Sequence, residues 1–89
     1  MRNIAVQHAL RNWQDKADKN ISKWGIQDIE TLVLAMTEEL GELAQAVLKL
    51  RYEGGSIERV IEENNDLAAL CIQMAWSIQE ERARCAGGE

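Results

Sequence analysis

Proline is absent from these 89 residues, histidine occurs once and cysteine twice. Without proline, and without any sustained alternation of apolar and polar residues, nothing signals a β-rich fold. A basic stripe is missing too. The net charge is −5 and the pI near 4.9, which argues against a general nucleic-acid backbone binder, because such proteins meet phosphates with clustered Lys and Arg. Cys71 and Cys85 have neither metal-ligand nor disulfide-framework spacing. Cys71 lies in an apolar run and is expected to pack as a small hydrophobe. His8 has no Cys or His at ligand spacing and reads as a surface or packing residue. No apolar run approaches the ~18 residues of a membrane span. Arg2, Asn3, His8, Arg11 and Asn12 interrupt the beginning of the chain, unlike a secretion signal. These absences predict a cytoplasmic protein that engages neither membrane nor nucleic acid.

What the chain has in quantity is apolar residues, 46% of the total. A chain of this length makes one domain and buries roughly 60–65% of the surface its unfolded form exposes, so a lone core is marginal. The apolar surplus predicts a core shared between copies.

Periodicity predicts three helices. In the first, over about residues 3–20, Ile4, Leu10, Trp13, Ala17 and Ile21 fall on one face, with Asp15, Lys16, Asp18 and Lys19 off it. Residues 20–27 read as a connection that turns at Trp24-Gly25. A second helix starts near Gln27 or Asp28 and carries Ile29, Leu32, Val33, Met36, Leu40, Leu43, Val47 and Leu50 at spacings of three and four. Gly54-Gly55 breaks it, and Ser56 is the expected N-cap of the next. The third helix, over about residues 57–82, has Val60, Ile61, Leu67, Leu70, Cys71, Met74 and Ile78 as its apolar face. Between Leu67 and Trp76 only Gln73 is polar, so that run is expected to be covered on more than one side, in part by a partner subunit. The expected fold class is all-α, an antiparallel helical bundle completed by oligomerisation, with residues 1–83 as the domain and 84–89 as a flexible tail.

Two acidic groups dominate the polar pattern: Glu38-Glu39-Leu40-Gly41-Glu42 and Glu62-Glu63-Asn64-Asn65-Asp66. Residues three apart share a helix face, so Glu39 pairs with Glu42 and Glu63 with Asp66. The short Gly-Gly connection makes helices two and three antiparallel neighbours. Counted outward from that turn, the two pairs differ in height by only roughly 6 Å at 1.5 Å per residue. Four carboxylates brought together repel unless a cation joins them, and Mg²⁺ prefers such oxygens while completing its shell with water and substrate phosphates. Lys49 and Arg59 continue the acidic stripes towards the turn and are candidates to touch phosphate oxygens. The competing reading of all these charges is a solvated surface with ordinary ion pairs. Trp13 and Trp24 are candidates to stack on a base, against the favoured alternative that both anchor the first helix. Trp76 reads as core or interface.

The pattern Glu38-Glu39-Leu40-Gly41-Glu42, followed after 20 residues by Glu63-Asn64-Asn65-Asp66, resembles the signature of the MazG-like, all-α nucleoside triphosphate pyrophosphohydrolase superfamily. The segment from Leu32 to Ala44 looks like the corresponding helix of its dCTPase-like members. The resemblance implies a house-cleaning hydrolase, dependent on Mg²⁺ or Mn²⁺, that cleaves a nucleoside triphosphate to the monophosphate and pyrophosphate. It implies Glu39, Glu42, Glu63 and Asp66 as metal ligands. Glu38 would be a further ligand or would orient the attacking water, making Glu38 and Glu39 the catalytic residues. It also implies a homodimer or homotetramer. The Lys-x-Gly and His features of the related phosphoribosyl-ATP pyrophosphohydrolases are replaced here by Ala35-Met36-Thr37 and Leu67-Ala68-Ala69-Leu70. The alternative function is a non-catalytic dimeric helical interaction module with an acidic, cation-binding seam.

Overall fold

Helix signals and helix stops account for most of the architecture of the computed structural model, which describes residues 4–87. Three α-helices follow in order: α1 Ile4–Trp24, α2 Ile29–Tyr52 and α3 Ile57–Gly87. The described residues contain no strand, so the all-α expectation holds. Among the described residues no helix is long and apolar enough to cross a membrane.

The stops are local chemistry. Gly25 adopts φ +76° and its amide donates to the Ile21 carbonyl at 2.7 Å. That left-handed residue, which glycine accepts without a Cβ penalty, ends α1. The helix therefore reaches Trp24, four residues beyond the expected end near Asn20; Ile21-Ser22-Lys23 contains nothing to stop it sooner. Asp28 caps α2, its carboxylate accepting from the Thr31 amide at 2.7 Å. At the far end the amides of Glu53 and Gly55 both donate to the Lys49 carbonyl, and Gly54 takes φ +70°. Ser56 Oγ then accepts from the Arg59 amide at 3.2 Å and opens α3. Residues 83–86 contain no glycine or proline, and α3 continues to Gly87 instead of fraying at Arg82. The expected start at Asn3 and the last two residues of the expected tail lie outside the described residues.

α3 is the central element. Both α2 and α1 pack along it, while among the described residues α1 and α2 do not pack on each other. The cross-links Trp13–Asn65, Lys16–Asp66 and Asn20–Gln73 advance in the same sense along both helices. Hence α1 and α3 run parallel, with α2 antiparallel to α3. A cleft is left between α1 and α2, floored by α3.

The buried face of α3 differs from the expected one. Glu63, Ala69, Gln73 and Ser77 are buried, whereas Cys71, Ile61 and Ile78 are exposed and Val60, Leu67, Leu70 and Met74 are partly covered. The rest of the buried set is Ala17, Leu32 and Ala46. Small residues at these positions let the helices approach closely, which turns the bulkier side chains outward. Ile4 and Leu10 of α1, Val33, Leu40 and Val47 of α2, and Trp76 of α3 are all exposed. The expectation that Cys71 packs inside is corrected for the same reason: its free thiol lies on the outer side of α3.

Candidate metal and nucleotide site

The α2–α3 hairpin brings three of the four anticipated ligands together. Glu39, Glu63 and Asp66 each offer a carboxylate oxygen within 4.8 Å of the others. Glu42 is not in this group; it sits roughly 60° round the helix from Glu39 and is exposed. Its charge still reaches Glu39, being one of the causes that raise that residue's pKa. Glu38 is exposed on the outside of α2.

Two carboxylates of the trio are paired with a cation and the third is not. Glu63 is only 3% exposed, and its Oε2 accepts from Arg59 Nη2 at 2.7 Å, while its Oε1 is buried without a partner. Asp66 Oδ1 lies 2.8 Å from the Lys16 ammonium of α1. Glu39 has no cation, and its Oε2 is likewise buried without a partner. Its carboxyl is accordingly pushed up to about 7, first by desolvation, then by the charges of Glu42, Asp66 and Glu63, and last by a hydrogen bond that its protonated form shares with Glu63. With Glu39 and Glu63 both ionised, their two unpartnered buried oxygens in a shared group of acids are the condition a hard divalent cation relieves, so the donor set fits Mg²⁺ or Mn²⁺.

Glu39 and Asp66 border the cleft between α1 and α2, a space of about 400 Å³, with Glu63 buried behind them. Lys16, Asn20 and Trp24 of α1 line one wall, Ala35 and Glu39 of α2 the other, and Asp66, Leu70 and Gln73 of α3 the floor; Gln27 of the connection closes the end. A cleft of this size lies within the range that small-molecule sites occupy. Trp24 is 58% exposed at its rim, with the Lys23 ammonium 4.7 Å from its ring. Gln73, buried on the floor, accepts from Asn20 Nδ2 at 2.8 Å through Oε1. Its own amide nitrogen is uncommitted.

The other anticipated substrate residues stand elsewhere. Trp13 donates through Nε1 to Asn65 Oδ1 at 2.8 Å and so pins α1 to α3. Lys49 is exposed beside the Gly-Gly turn, away from the cleft lining. Arg59 is shared between Glu62 and Glu63. Conversely, Lys16, Asn20, Gln27 and Gln73 were not anticipated. Gln73 did carry a signal, as the lone polar residue in an apolar run; Lys16 and Asn20 carried none, because their place depends on how α1 docks. No family model, curated protein or solved structure matches this chain.

Proposed function

We propose that this chain is a Mg²⁺-dependent nucleoside triphosphate pyrophosphohydrolase of the MazG-like kind that its acidic motifs resemble. The observation that carries the reading is the convergence of Glu39, Glu63 and Asp66, with two buried oxygens lacking partners, where Glu39 and Asp66 line a nucleotide-sized cleft. Glu39, Glu63 and Asp66 hold the ion, with Glu42 one turn away. When bound, Mg²⁺ supplies a Lewis acid for the α-phosphoryl group and offsets the charge of the departing pyrophosphate.

The reaction adds one water across the bond between the α phosphorus and the oxygen bridging to the β phosphate. The water oxygen bonds to the α phosphorus, the bridging bond breaks, and the water's protons are shared out to solvent and products. In this reading the Glu39 carboxylate oxygen that the ion leaves free would orient that water and take its proton, with Glu38 the residue before it in the helix. Trp24 at the rim offers a face to the base, and the Asn20–Gln73 amides supply hydrogen-bonding groups for its edge.

A second copy completes the fold in this reading. The chain exposes 6660 Å², whereas a compact monomer of its mass exposes roughly 5,300 Å². The excess is of the order of the ~800 Å² each partner buries in a standard interface. An apolar groove of about 340 Å³, lined by Val33, Met36, Leu40, Leu67 and Cys71, opens on the side of α2 and α3 away from Lys16 and α1. Such a face also suits the rival reading, a non-catalytic dimeric module with an acidic seam. Pyrophosphate release from a panel of nucleoside and deoxynucleoside triphosphates, with and without Mg²⁺, separates the two: the hydrolase releases it only with the metal, the module never.

A further inference from the structure

We infer that Lys16 is an internal stand-in for the cation, and that once a divalent ion takes Asp66 the same ammonium becomes a receptor for the substrate's phosphates. This rests on the reading of the acidic trio as a cation site for a triphosphate substrate. The juxtaposition is specific. Lys16 comes from α1, the helix that contributes no carboxylate to the trio, and its Nζ reaches across to Asp66 Oδ1 at 2.8 Å.

Its surroundings say where it goes. Lys16 lines two clefts at once. One is the nucleotide-sized cleft with Trp24, Asn20 and Gln73; the other, of about 370 Å³, includes Asn12, Asp15, Lys19, Glu62 and Asn65 and holds more carboxylates than the first, so phosphates are received on the first side. It stands on the ridge between them, 46% exposed and on a flexible stem, free to swing without disturbing the helix packing. Lys49 and Arg59 do not line either cleft. Arg59 is also held by buried Glu63, so Lys16 is the cation able to leave its carboxylate at little cost. A divalent ion at Glu39, Glu63 and Asp66 competes with Lys16 for Asp66, and a metal-bound triphosphate arrives where the released ammonium stands. Binding is then ordered, metal before or with the anion, and Lys16 opposes the first step while favouring the second.

Opposite signs make the test sharp. Mn²⁺ alone is titrated by electron paramagnetic resonance into the wild-type protein and into Lys16→Met, Lys16→Arg and Glu63→Gln. Inorganic triphosphate is then titrated calorimetrically at saturating Mn²⁺. Lys16→Met should bind Mn²⁺ about two- to fivefold more tightly, the range set by a partly exposed ion pair. It should bind triphosphate at least about fivefold more weakly, since a charge-assisted contact is lost. Lys16→Arg should restore triphosphate binding. Unchanged or weaker Mn²⁺ binding by Lys16→Met, or unchanged triphosphate binding, overturns the inference while leaving the metal site intact. A wild-type protein that binds no Mn²⁺, or binds it as well after Glu63→Gln, overturns the site reading and this inference with it.

Discussion

Arg59 and Glu63, one helical turn apart on α3, form a one-sided clamp: the guanidinium holds Oε2 at 2.7 Å and leaves Oε1 buried and unpartnered. Exposed at one end and buried at the other, this pair fixes Glu63 without satisfying it. Arg59→Ala should therefore lower metal-free stability at pH 8 by about 1–2 kcal/mol, because a buried carboxylate loses its only partner. Urea unfolding measures it, and Mg²⁺ should recover part of the loss. Glu63→Gln should be more stable than Arg59→Ala under the same conditions yet show no stabilisation by Mg²⁺.

Glu39 makes the metal-free protein sensitive to pH near neutrality. Its carboxyl is raised from the usual carboxylate value of 4.5 to about 7, so between those values the folded state holds a proton that the unfolded state has released. Stability should consequently fall as pH rises from about 4.5 through 7 and level off above it. Thermal unfolding between pH 5 and 8.5 in chelator should show this slope, and Glu39→Gln should flatten it and raise the melting temperature at pH 8. Saturating Mg²⁺ favours the ionised carboxylate and should stabilise the protein more at pH 8 than at pH 5.5.

Asn20 reaches Gln73 across the α1–α3 seam, where the glutamine is buried. Asn20→Leu removes the donor to Gln73 Oε1 and should cost about 1–2 kcal/mol in chemical denaturation. If these amides also face the base, the same variant should raise KM for a nucleotide while leaving the affinity for inorganic triphosphate unchanged.

Leu40 is 56% exposed and lines the apolar groove. In an isolated chain Leu40→Glu would be neutral; across a shared interface it places a charge against apolar surface. Light scattering should find the wild type as a dimer or tetramer and Leu40→Glu dissociated, with a lower melting temperature. A wild-type monomer would remove the shared core from the account.

Much of the fold was legible because its punctuation is local. The Gly25 stop, the Asp28 and Ser56 caps and the Gly54-Gly55 turn each announce themselves in a few residues. The inward face of α3 was not, because periodicity ranks bulky apolar residues first, while the chain uses Ala17, Ala46 and Ala69 where helices touch and leaves Ile61 and Ile78 outside. For the site, counting out from the turn was enough to bring Glu39 to Glu63 and Asp66. Within a pair, spacing alone did not say that Glu42 stays outside the group that Glu39 joins. Lys16 and Asn20 were hidden for a further reason: α1 runs parallel to α3, and no local pattern in α1 states which of its polar residues that docking turns inward.

The central claim is tested most directly by identifying the products. A nucleoside triphosphate incubated with the protein and Mg²⁺ and followed by phosphorus NMR should give monophosphate and pyrophosphate in equal amounts, with turnover abolished by chelator and by Glu63→Gln. Absence of turnover across all common triphosphates in Mg²⁺ and Mn²⁺, release of orthophosphate and a diphosphate instead, or wild-type turnover by Glu63→Gln would contradict it.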